Sequence, residues 1–140
     1  MNITQQFSAL VIFLISQSIL ASNLHKDGEK LYKSHCSSCH GATGGMDMSK
    51  RIAPPIAGVR LHYMAPFPDK KSFINAIVNW TQKQDPDRSL MPPAIRKFKI
   101  MPPVSVSRKQ AEKIAAYIYD GDIEILDGFK EHVEQMHGKQ

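Results

Sequence analysis

Apolar positions along this chain recur with the spacing of helices, and no segment shows the strict alternation of a half-buried strand. A mostly apolar run extends from Phe7 to Leu20, followed by small residues at Ala21 and Ser22. In D-G-E-K-L-Y-K-S-H-C, Leu31 and Tyr32 open an apolar face, and Asp27 suits either a cap or the positive end of a helix. That helix is expected to be short, ending at or just after His40. The stretch G-A-T-G-G-M-D-M-S-K-R-I-A-P-P-I-A-G-V is Gly-rich and then Pro-Pro, and it reads as a wrapping loop. A second helix is expected over Lys71 to Trp80, where Phe73, Ile74, Ile77 and Val78 share one face.

Residues 81–100 are polar and basic, hence mostly loop, with at most a turn of helix in A-I-R-K-F. The strongest element is S-R-K-Q-A-E-K-I-A-A-Y-I-Y-D-G. Ser107 stands three residues before Gln110, the capping-box spacing. Ala111, Ile114, Ala115 and Ile118 form its stripe, and Gly121 stands where the helix can stop. Phe129, Val133 and Met136 mark a weaker amphipathic helix in the tail. The fold class is therefore all-α: short helices, long loops, and a core thin for its length. Such a chain calls for something extra at its centre, and a large, flat, apolar cofactor would serve.

Charge divides the chain further. The first 21 residues carry no charged side chain, so 1–21 reads as a secretory signal peptide cleaved after Ala21. A retained membrane anchor is the lesser reading, because the run falls short of the ~20 apolar residues of a span. All 18 basic and 13 acidic residues lie beyond it, for a net charge of +5. Ten Lys and Arg face three acidic residues between Lys70 and Lys113, and six acidic residues face two lysines after Ile114. A basic domain over 22–120 followed by an acidic extension over 121–140 points to docking on an acidic protein or membrane surface. An exported chain without a recognition motif sets nucleic acid aside.

The chemistry concentrates in C-S-S-C-H at 36–40, which holds both cysteines of the chain. A redox pair would follow a central strand in an α/β fold, and no strand precedes Cys36. Structural zinc would need two further ligands, and the spacings of His25, His35, His62, His132 and His137 fit no common zinc pattern. Covalent haem needs no further residues. Cys36 and Cys39 can form thioethers to the two vinyl groups on one edge of the macrocycle, and His40 can offer its imidazole to the iron. Attachment outside the cytoplasm also agrees with export.

A second axial ligand is expected from methionine, which is soft enough for ferrous iron. Two near-identical candidates exist, L-M-P-P around Met91 and I-M-P-P around Met101, each stiffened by proline. Met101 lies closer to Ser107 and is favoured on tether length, with Met91 as the alternative. No acid–base or nucleophilic constellation supports catalysis, so the chain is not expected to be an enzyme.

These features together resemble a class I, cytochrome c-like monohaem domain. The resemblance is carried by G-E-K-L-Y-K-S-H-C-S-S-C-H-G, A-P-P-I-A-G, I-M-P-P and S-R-K-Q-A-E-K-I-A-A-Y-I, in that order over about residues 26–120. It implies one covalently attached haem c, with Cys36 and Cys39 as anchors and His40 and Met101 as axial iron ligands. It also implies close packing of the first and last helices at Gly28, with Tyr32 against Tyr117, and a carbonyl of Pro54 or Pro55 on the His40 ring. Trp80 is a candidate partner of a haem propionate. The expected function is single-electron transfer between periplasmic redox proteins by a monomer. Lys70, Lys71, Lys97, Lys99 and Lys109 would steer acidic partners. The alternatives are a haem subunit in peripheral contact with a membrane respiratory complex, or a haem enzyme or gas-binding protein with an open or labile distal site.

Overall fold

The computed structural model describes residues 25–138, and the expected signal segment at 1–21 lies outside them. Helix α1 is already helical at residue 25 and runs to 35. It is followed by α2 (Ser37–His40), α3 (Ile56–Met64), α4 (Lys70–Gln82), a 3-10 turn (Pro86–Arg88), α5 (Pro92–Phe98), α6 (Arg108–Asp120) and α7 (Phe129–His137). No strand occurs among the described residues, so the fold is all-α. None of the described helices is long and apolar enough to cross a membrane.

The periodicities explain the main elements. Helix α4 starts at Asp69, whose side chain accepts from the Ser72 backbone N–H at 2.9 Å, and it buries Phe73, Ile77 and Val78. Helix α6 starts at the expected capping box. Ser107 Oγ accepts from the Gln110 N–H at 3.2 Å, and Gln110 Oε1 accepts from the Ser107 N–H at 2.8 Å. It buries Ala111, Ile114, Ala115, Tyr117 and Ile118, and it ends at Gly121 in the left-handed conformation (φ 87°). These two helices pack closely against each other, and Phe73 and Val78 of α4 are fully buried.

The crossing of α1 and α6 follows from one missing side chain. A Cβ on Gly28 would collide with the Lys113 carbonyl oxygen and lie 2.9 Å from Tyr117 Cβ, so only glycine permits this approach. Beside it Tyr32 and Tyr117 stack tilted, with ring centroids 5.6 Å apart. Lys113 Nζ reaches Asp27 Oδ2 at 2.6 Å across the same seam. Asp27 therefore lies inside α1, not before it as a cap, and tethers the helix to α6.

Two further expectations change. The wrapping loop is shorter than expected, because α3 begins at Ile56 directly after Pro55. Its apolar residues surround the helix instead of lining one face, as suits a segment wedged between α4 and α6. Lys70 is also engaged: its ammonium pairs with both oxygens of Asp120, at 2.7 and 2.9 Å, and ties the start of α4 to the end of α6. Arg60 completes that corner by donating to the Tyr119 carbonyl from Nε (3.2 Å) and Nη2 (3.0 Å). The acidic segment lies against the same body, with Ile123 and Leu126 buried and the Asp122 carbonyl accepting from Tyr117 Oη at 2.7 Å.

Candidate functional site

A cavity of about 410 Å³ opens between these elements. Its inner wall is the apolar core, including Tyr63, Ile77, Ile114 and Ile118. Cys36, Cys39 and His40 line it, and so do both Met91 and Met101. The residues that stood far apart in sequence as candidate ligands thus face one space.

Local geometry accounts for each of them. The chain kinks at Cys36 between α1 and α2, and the Cys39 and His40 N–H groups both return to the Cys36 carbonyl, at 3.2 and 2.9 Å. This single turn turns both cysteines and the histidine toward the cavity. The two thiols are unpaired, and burial, helped by the neighbouring Cys39, pushes the Cys36 thiol up to about 11. Among the described residues no group of three or more His, Cys, Asp and Glu side chains is arranged to hold a bare metal ion.

His40 is held in a defined tautomer. Its Nδ1 donates to the Pro54 carbonyl at 2.8 Å, which selects Pro54 over Pro55 as the acceptor. A carbonyl can only accept, so Nδ1 carries the proton and a neutral ring leaves Nε2 with its lone pair. Burial lowers the pKa of the ring below its ordinary value and favours that neutral form; the bond to Pro54 opposes the shift, and the charge of Arg51 adds to it.

On the methionine side, α5 joins the two candidates. Met91 is its N-cap residue, with its N–H donating to Ser89 Oγ at 3.1 Å. Lys99 closes the helix with φ 68°, a turn that brings Met101 back to the cavity that Met91 also lines. The helix that sequence reasoning saw as one turn in A-I-R-K-F is the spacer that sets both methionines there. Trp80 lines the same space, as do the exposed residues Ile52 and Ile100.

Arg51 was not singled out in the sequence, and the structure makes it the centre of the 41–53 loop. It is only 6% exposed and donates to four backbone carbonyls, those of Gly41, Thr43, Gly45 and Ala53. A lone arginine in a polar, Gly-rich stretch carries no pattern that distinguishes it from a surface charge.

An apolar cavity bounded by a Cys-x-x-Cys-His turn, a neutral histidine and soft thioether donors fits a covalently held haem in its donor set. Residues 25–121 match the sequence profile of the cytochrome c family. The chain belongs to the cytochrome c family. Its cofactor is a single haem c attached through the Cys-x-x-Cys-His motif, and members of the family are typically electron carriers, not enzymes. An uncharacterised protein of Aquifex aeolicus (strain VF5) is 27% identical over 133 residues, covering 84% of this chain and 86% of the relative. No solved structure matches the chain.

Proposed function

We propose that this cytochrome c domain is a periplasmic carrier of single electrons, with His40 and Met101 as the axial ligands of its haem. When bound, the haem iron supplies the chemistry by cycling between the ferrous and ferric states. The protein supplies attachment, a dry pocket and a fixed ligand field. Cys36 and Cys39 hold the macrocycle as thioethers, and His40 presents Nε2 because Nδ1 is committed to Pro54. Met101 is preferred over Met91 because Met91 starts a helix whose N-terminal turn restrains it, whereas Met101 lies in a segment without regular secondary structure. The observation that carries the reading is the convergence of C-S-S-C-H and both M-P-P segments on one apolar cavity.

Export through residues 1–21, leaving 22–120 as the haem domain with a 121–140 extension, belongs to the same proposal. So does a monomer that meets acidic redox partners. Lys97 and Lys99 are exposed and stand beside the cavity-lining residues Phe98 and Ile100, of which Ile100 is 40% exposed. A mixed basic and apolar rim of this kind suits brief, salt-sensitive encounters. Lys70, engaged with Asp120, is not counted among the steering lysines.

The test is the visible spectrum of the ferric holoprotein and of M101A and M91A. The weak far-red band of methionine–iron coordination should be present in the wild type and in M91A and absent in M101A. Its loss in M91A alone would exchange the two assignments, and a high-spin wild-type spectrum would favour the alternative of an open, enzyme-like or gas-binding site.

A further inference from the structure

The four bonds of Arg51 join particular places in the chain. Nη2 donates to the Gly41 carbonyl at 2.7 Å, and Gly41 directly follows His40. Nε donates to the Ala53 carbonyl at 3.1 Å, and Ala53 directly precedes Pro54, the acceptor of the His40 Nδ1 bond. Nη1 holds the intervening loop through Thr43 (3.1 Å) and Gly45 (2.9 Å). One planar fork therefore ties the residue after the histidine to the residue before that histidine's hydrogen-bond partner. A lysine ammonium cannot reproduce this reach and geometry. Arg51 forms no ion pair among the described residues, and the direct partners of its buried guanidinium are four carbonyl oxygens, with the carboxylate of Glu124 acting at longer range. Burying a guanidinium in this way is costly, and closing a surface loop does not require it.

We propose that Arg51 is a positioning residue for His40: by clamping Gly41 to Ala53 it fixes the Pro54 carbonyl on Nδ1 and so sets the aim of Nε2. The proposal rests on the reading of His40 as an iron ligand. Hydrogen bonds to a ligating histidine orient the ring and tune its basicity, so a residue that sets the bond acts on the iron site without touching it. The charge of Arg51 also acts on the site. Its guanidinium is held against the carbonyls of Gly41 and Ala53, and like-charge repulsion from there disfavours the ferric state, which carries one more positive charge than the ferrous.

The experiment uses the matured, 15N-labelled ferrous holoprotein as wild type, R51K and R51M. Exchange of the His40 Nδ1–H proton is followed by NMR, with urea added to the wild type until its global stability equals that of each variant. Both variants should exchange about tenfold faster than the stability-matched wild type, because the local clamp is lost. R51M, which loses the charge as well, should have a lower reduction potential than R51K, which keeps it. Equal exchange at matched stability would overturn the proposal, and R51K alone decides this if R51M fails to mature. If His40 were not a ligand, its ring resonances in the wild type would lack the large displacement of an iron-bound imidazole. A failure of the Arg51 role alone would leave that displacement intact in all three proteins.

Discussion

On the proposed reading, Cys36 and Cys39 each supply one thioether, and the two can be removed separately. C36A and C39A should each yield a haem with one vinyl group still conjugated to the ring. The pyridine haemochrome band of either variant is then expected at longer wavelength than that of the wild type. An unshifted band in one variant would mean that its cysteine is not an anchor. The sequence made the five residues of this motif readable because their spacing is itself the chemical signal. It could not decide between Pro54 and Pro55, since adjacent carbonyls differ only in where the backbone aims them. Nor did it mark Arg51, whose partners are backbone carbonyls and leave no pattern of residue types to read.

Packing at the level of elements rests on the α1–α6 seam and the α4–α6 pair. Gly28→Val puts side-chain atoms where the Lys113 carbonyl and Tyr117 already lie. It should prevent maturation or lower the melting temperature far more than Ser107→Ala, which removes one cap bond and costs about 1 kcal/mol. Similar melting temperatures for the two holoproteins would contradict the account of the seam. Helix α6 was legible to its capping box and terminal glycine because caps are local and strongly typed. Helix α3 was not: it begins after Pro-Pro without a side-chain cap, contains Gly58, and is apolar on several sides because α4 and α6 cover it. The pairing of Lys70 with Asp120 was hidden for a related reason, since charge counts along a chain do not show which charges meet in space.

Across the whole molecule, surface electrostatics bears on acid sensitivity and, on the proposed reading, on the encounter with partners. Asp27 is held below its ordinary value of 3.8 chiefly by Lys113, and Asp69 below the same value chiefly by Ser72. Depressed carboxylates stabilise the fold fully above the unfolded value, and that contribution fades as pH falls through the folded one. Thermal melts should therefore drop progressively from about pH 5 down to about pH 2. The drop should be smaller in D27N, which has one depressed carboxylate fewer; an unchanged pH profile in D27N would remove the tether from the account.

The basic rim makes a separate prediction. Electron exchange with an acidic redox protein should slow as salt is raised, and it should depend less on salt in K97E/K99E. Wild-type salt dependence in that variant would move the docking face elsewhere.

The central claim, a six-coordinate haem that carries one electron, is tested most directly by a spectroelectrochemical titration of the matured holoprotein. A reversible one-electron transition is expected, with low-spin spectra in both oxidation states and clean conversion between them. A high-spin ferric form, or a colourless chain with two titratable thiols, would contradict it.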